Sequence, residues 1–274
     1  MTYALIAFLY GLLIGSFLNV CIYRMPRDLS VVKPRSFCPG CETPIAWYDN
    51  IPVVSYLVLG RKCRHCGAGI SFRYPLVELL TGLLFFLIVL ALGPKLVAVK
   101  LCVLCALLVG LTFTDLDALI LPDEMTLGGT LIGFLFAWFV PVDDIVARVA
   151  LNLLGYHPSV QWASLAESLT GAVLPATFLG LGGWLFEKIR HKEGLGFGDV
   201  KMMAMLGAFL GLRATLLTLV VGSVLGSVVG LVYIYATKKD ASTYELPFGS
   251  FLGFAGIVVA LTGAPVIHWY WGLL

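Results

Sequence analysis

The sequence predicts an all-α polytopic membrane protein, with about eight transmembrane helices and a small cytoplasmic tetracysteine domain. Three observations predict it. The 274 residues are 59% hydrophobic and 12% charged, with a mean hydropathy of +0.96, whereas an average soluble domain carries about 25% charged residues. Apolar runs near the ~20 residues that cross a bilayer recur along the chain. The one long polar stretch, residues 24–74, holds two CxxC pairs. A net charge of +2 gives no case for a nucleic-acid partner. The lipid bilayer is the partner that the composition demands.

Residues 2–22 are apolar, with no basic residue before them and no small-x-small cleavage site after them. They read as a retained first helix, over 1–23, rather than a signal peptide. Arg24, Arg27, Lys33 and Arg35 follow at once. By the positive-inside rule the N-terminus then lies outside and residues 24–74 lie in the cytoplasm. That segment is too short and too rich in turn residues for a large core of its own, so it needs a staple.

The staple reads as metal. Cys38, Cys41, Cys63 and Cys66 form two CxxC pairs separated by 21 residues, close to zinc-ribbon spacing, in which each knuckle gives two thiolates to one tetrahedral ion. In a reducing cytoplasm four such cysteines fit structural Zn2+ better than disulfides. His65, between two of the ligands, reads as a surface side chain. Cys21, Cys102 and Cys105 lie within apolar runs and read as small packed hydrophobes.

The membrane domain runs over 75–274. Its spans fall at about 76–93, 96–114, 125–140, 165–187, 200–212, 214–236 and 248–267, the last ending in an aromatic belt at His268–Trp271. Pro175 and several glycines inside the fourth of these are tolerated in membrane helices. A polar outer segment from Pro141 to about residue 164, with His157 as a loop residue, carries no ligand-type cluster. Glu78 enters the first of these spans near its cytoplasmic end, and a snorkelling and a functional role stand equally open for it. Fourteen of the 18 Lys and Arg residues fall in three cytoplasmic regions, namely residues 24–74, residues 187–193 together with Lys201, and Lys238-Lys239, leaving Lys95, Lys100, Arg148 and Arg213 toward the outside. Eight crossings with both termini outside satisfy that distribution.

Charges inside such a frame mark chemistry. Gly196-Phe197-Gly198-Asp199 puts a carboxylate at the head of a short apolar run, behind two glycines that let the backbone turn and another chain pass close. The same topology brings Asp115, Asp117, Asp123 and Glu124 to that face, in Thr114-Asp115-Leu116-Asp117-Ala118-Leu119-Ile120-Leu121-Pro122-Asp123-Glu124. Two carboxylates at one partly desolvated site share a proton, the arrangement of aspartic proteases. Asp115 with Asp199 fits by position, and Asp123 with Asp199 remains open. Lys201 either tunes the pair, contacts substrate backbone, or reaches lipid phosphate.

The pieces GSFLNVCIYRMP, both CxxC pairs, IPVVSYLVLG, RYPLVELLTG, TDLDALILPD, GFGDVKMMAMLGAFLG and LPFGS together resemble the bacterial type IV prepilin peptidases, membrane aspartic proteases, over nearly the whole chain. The resemblance implies catalytic aspartates at Asp115 and Asp199. It implies prepilin or pseudopilin substrates, cleaved after a glycine at the cytoplasmic face of the inner membrane. It also implies S-adenosylmethionine-dependent N-methylation of the new N-terminus, associated with the cysteine domain. The chain departs from the family pattern at Gly60-Arg61-Lys62-Cys63 and at Ser250, where proline often follows PFG. The competing reading from another class is a proton-coupled transporter with Asp115 and Asp199 as its relay. It would call for internal repeats and acids at mid-bilayer, and neither is found here.

Overall fold

The computed structural model describes residues 1–142, 144–191, 196–237 and 246–271, with side chains described as far as residue 263. Asp143, Lys192, Glu193, Lys238 and Lys239, and the side chains of the expected aromatic belt, lie outside the described residues. The chain divides into two compact units, Met1–Gly110 and Leu111–Leu274. Among the described residues there is no strand beyond two isolated β-bridges.

Unit 1 begins with α1 (Thr2–Arg24), followed by the cysteine segment with a short helix α2 (Val54–Val58), then α3 (Arg73–Leu92) and the first part of α4 (Leu96–Ala118). Helices α1 and α3 pack backbone to backbone. A Cβ added at Gly11 would lie 2.7 Å from the Gly82 Cα, and one at Gly15 would lie 2.6 Å from the Glu78 Cα. Small residues at such a seam let membrane helices approach closely where no hydrophobic driving force separates them from lipid. Cys21, Cys102 and Cys105 are buried among apolar neighbours, the packing role expected of them.

Unit 2 contains the end of α4, then α5 (Asp123–Phe139), α6 (Val146–Leu153), α7 (Val160–Arg190), α8 (Phe197–Leu210), α9 (Leu212–Thr237) and α10 (Phe248–Trp271). The short helix α8 is the core. Met202, Met203, Met205, Leu206, Ala208 and Phe209 are fully buried, against α5 and α7 with α9 and α10 alongside. Gly207 of α8 meets Gly171 of α7 so closely that a Cβ on either would collide with the other's backbone. The Ser168 hydroxyl donates to the Ala208 carbonyl at 2.6 Å across the same seam.

Five helices among the described residues are long and apolar enough to cross a membrane, namely α1, α3, α4, α7 and α9. Helices α5, α8 and the described part of α10 are apolar but shorter.

The segment expected to be a polar outer stretch contains α6, and α7 starts earlier than the expected span. Glu167, fully buried in α7, accepts the Ala147 and Arg148 N–H groups at 2.9 and 2.8 Å. It thereby caps the first turn of α6, whose leading N–H groups have no partner within the helix. Asp144, also buried, accepts the Arg213 N–H at 3.0 Å and its guanidinium at 2.8 Å. That contact ties the α5–α6 connection to the turn at Gly211 between α8 and α9.

Candidate active site and cysteine cluster

Helix α4 ends just after Asp115. Leu119 adopts φ 54° and its N–H closes onto the Asp115 carbonyl at 2.8 Å, a left-handed stop. Asp115 is thus held in the last turn, with only 5% of its surface exposed. Asp199 lies in the first turn of α8 and is 8% exposed. There the helix N-terminus favours negative charge. Its own N–H returns to the Gly196 carbonyl at 3.1 Å.

The two acids meet over Gly249, at the head of α10. A Cβ built there would lie 3.1 Å from Asp199 Oδ1 and 3.2 Å from Asp115 Cγ. Any side chain at 249 would occupy the space that the two carboxyl groups face. Leu121 forms a wall, 2.9 Å from that same point and 3.0 Å from a Cβ built on Gly198. The next residue, Ser250, donates its N–H to Asp115 Oδ2 at 2.6 Å and places its hydroxyl 2.8 Å from the same oxygen. The Thr112 carbonyl, 3.1 Å from that hydroxyl, is a second acceptor for its one hydrogen. The order of the chain hides this site. Asp115, Asp199, Gly249 and Ser250 come from three helix ends, and Ser250 and Asp115 are 135 residues apart.

Asp123, the other candidate partner, faces elsewhere. It starts α5, is largely exposed, and accepts the Lys201 ammonium at 2.6 Å. Lys201 also stands 4.9 Å from the centre of the Phe197 ring. Its charge is therefore engaged with Asp123, not aimed at the buried pair.

In unit 1 the sulfurs of Cys38, Cys41, Cys63 and Cys66 all lie within 4.8 Å of one another. A tetrahedral zinc site with Zn–S bonds of about 2.3 Å requires sulfurs about 3.8 Å apart, and Cys38 and Cys66 are 3.8 Å apart. The two knuckles repeat one another. Bridges Phe37–Pro44 and Lys62–Gly69 flank them, and left-handed Glu42 and Gly67 follow each second cysteine. Backbone N–H groups of Cys66 and His65 lower the pKa of the Cys63 thiol, which favours the thiolate, the form that ligates metal. All four cysteines are free of disulfides, and His65 is exposed and outside the cluster. The donor set can hold a metal ion and is consistent with zinc.

Glu78 is buried at 7% exposure, so it does not snorkel. It accepts the Val53 N–H at 2.7 Å.

Two buried aspartates that converge at helix ends over a glycine, in a bundle of apolar helices, can hold one proton between them. Comparison with known families and proteins points to a membrane peptidase. Residues 9–92 match the bacterial peptidase A24 N-terminal domain, and residues 102–231 match the type IV leader peptidase family. The chain belongs to the type IV leader peptidase family. It is 43% identical over 246 residues to the prepilin leader peptidase/N-methyltransferase of Myxococcus xanthus, covering 89% of this chain and 67% of that protein. It is 36% identical over 292 residues to the protein of that name from Aeromonas hydrophila, covering 98% and 93%, and 33% identical over 293 residues to that of Pseudomonas aeruginosa, covering 98% and 94%. No solved structure matches.

Proposed function

We propose that this protein cleaves the leader peptide of type IV prepilins or pseudopilins and N-methylates the N-terminus so released, with Asp115 and Asp199 as the catalytic dyad. The observation that carries the reading is the convergence of two buried carboxyl groups over Gly249 in a chain of this family. Adjacent buried carboxylates hold one proton between them. The two donors from Ser250 favour the ionised form of Asp115, so Asp115 is the member that draws a proton from the attacking water. Asp199, carrying the shared proton, donates it to the scissile carbonyl oxygen as the tetrahedral intermediate forms.

The chain is a multi-pass protein of the bacterial inner membrane. Its functional parts are the first helix, 1–23, the cytoplasmic tetracysteine domain, 24–74, and the membrane protease domain, 75–274. Eight apolar helices cross the bilayer, with both termini outside and the dyad at the cytoplasmic face. Support for this orientation comes from the charge distribution. Cys38, Cys41, Cys63 and Cys66 hold a structural Zn2+ that ties the two knuckles together, and S-adenosylmethionine supplies the methyl group. Family membership leaves the transporter reading without support.

The test is to incubate the purified protein in detergent with a full-length prepilin, with and without S-adenosylmethionine, and to weigh the product. Cleavage after a glycine in both samples, with one added methyl group only where the donor is present, is the expected result. An intact prepilin in both samples would overturn the peptidase reading.

A further inference from the structure

Unit 1 contains a cavity of about 670 Å³ between the α1–α3 seam and the cysteine segment, lined among others by Ser16, Asn19, Tyr23, Arg27, Tyr56 and Glu78. Its size is that of a site for a nucleoside-sized ligand. The dyad of unit 2 makes no use of it. Two of its polar groups are built in a way that packing alone does not explain.

Asn19 is 2% exposed. Its amide donates to the Gly15 carbonyl at 3.3 Å and to the Tyr74 carbonyl at 3.0 Å, which uses both hydrogens and fixes the orientation of the group. The remaining atom, Oδ1, is buried with no hydrogen-bond partner. An orphaned buried acceptor is costly, and native proteins seldom keep one without a ligand or water for it. Glu78 lines the same cavity from α3. It accepts the Val53 N–H and the Ser16 hydroxyl, leaving lone pairs to spare. Val53 itself sits at φ 61°, ψ −47°, a conformation foreign to β-branched residues that persists only where its surroundings impose it. Thus Asn19 and Glu78, held on two helices and braced by a strained loop, are among the residues that line a cavity whose other walls carry aromatic rings and the Arg27 cation.

We infer that this cavity is the binding site of the methyl donor, with Glu78 and Asn19 Oδ1 facing its sulfonium end and Arg27 its carboxylate. The inference rests on the methyltransferase half of the proposed function. Two onium groups meet in that reaction, the donor's sulfonium and the α-ammonium of the cleaved pilin. The nucleoside-sized volume and aromatic walls assign the cavity to the donor. In the transfer the acceptor nitrogen's lone pair forms the N–C bond, the C–S electron pair stays on sulfur, and one proton leaves nitrogen for water. The cation on sulfur is lost in that step. Glu78 and Asn19 therefore hold the donor more tightly than the neutral thioether product, which favours product release.

The test is calorimetric titration of the full-length protein in detergent with S-adenosylmethionine, S-adenosylhomocysteine and, separately, a synthetic peptide bearing the mature pilin N-terminus. Ultraviolet cross-linking of the radiolabelled donor maps the attachment site. The wild type is expected to prefer the sulfonium over the thioether by about tenfold or more and to cross-link within residues 16–27 or 53–78. Glu78→Gln is expected to lose the preference, and Asn19→Leu to weaken donor binding about tenfold. Ala46→Phe, which narrows the cavity from its loop wall, keeps the test decisive should either polar variant unfold in a thermal scan. Donor binding unchanged in all three variants, cross-linking elsewhere, or peptide binding that depends on Glu78 while donor binding does not, would overturn the assignment while leaving the methyltransferase reading intact. A wild type that neither binds the donor nor methylates would instead remove the reading on which it rests.

Discussion

Replacing Gly207 by alanine tests how the helix packing of unit 2 serves its site. Taken alone, the change favours an α-helix by about 1 kcal/mol. The structure predicts the opposite sign. A Cβ at 207 would fall on the carbonyl carbon and oxygen of Gly171, and those are backbone atoms that cannot swing aside. Relief requires α7 and α8 to separate by more than 1 Å to restore ordinary contacts of about 3.5 Å. Forced overpacking of this kind costs about 1–3 kcal/mol or more, which outweighs the propensity gain. Helix α8 carries Asp199 in its first turn, so the shift is passed to the dyad, where a displacement near 1 Å costs about 100-fold in rate. The assay is thermal unfolding in detergent together with prepilin cleavage. Gly182→Ala, in α7 where a Cβ meets nothing within 4 Å, is the matched control and is expected to be neutral or slightly stabilising. A Gly207→Ala protein as stable and as active as wild type would refute the reasoning.

Three further outcomes follow from named contacts. Ser250→Ala removes the hydroxyl but keeps the N–H that Asp115 accepts. A charge-assisted bond is worth about 1.5–3 kcal/mol, so single-turnover cleavage is expected to fall about tenfold for alanine, with threonine retaining most of the rate. Cys63→Ser or Cys41→Ser is expected to abolish stoichiometric zinc, measured by metal analysis, and to open residues 36–70 to protease, because the knuckles have little core to hold them. In the α5–α6 connection, burial works against the Asp144 carboxylate, but the Arg213 N–H, its guanidinium and the Ile145 N–H together hold its pKa below the usual carboxylate range. Its stabilisation is therefore fully present above about pH 4 and is lost as pH falls through the depressed folded value. Asp144→Asn should lower the unfolding temperature at pH 7 and flatten the acid side of the stability profile, since breaking a buried pair costs about 3 kcal/mol.

Much of the architecture was legible because apolar runs report membrane helices directly. Each of the eight predicted apolar runs coincides with a helix, five of them long and apolar enough to cross a membrane, and the brevity of α8 was announced by Lys201 and Arg213. The tetracysteine spacing led straight to the cluster, because metal knuckles are local. Asp115 and Asp199 were also visible, as charges at the ends of apolar runs. What escaped was the set of contacts that span the chain. Nothing near Ser250 reveals an acid 135 residues away. Glu167 reads as one polar residue in an apolar helix until α6 is seen to start at its carboxylate. Helix α6 itself was hidden by the aspartates before it and by Gly155 and Pro158 after it, which read as loop. Asn19 gave no signal either, since its meaning lies in which of its atoms is left unpartnered.

The most direct test of the dyad is single-turnover cleavage of a prepilin by wild type, Asp115→Asn, Asp199→Asn and Asp123→Asn in the same detergent. The first two substitutions are expected to abolish cleavage, while Asp123→Asn, which breaks only an exposed pair with Lys201, still cleaves. Normal cleavage by Asp115→Asn or Asp199→Asn would contradict the dyad.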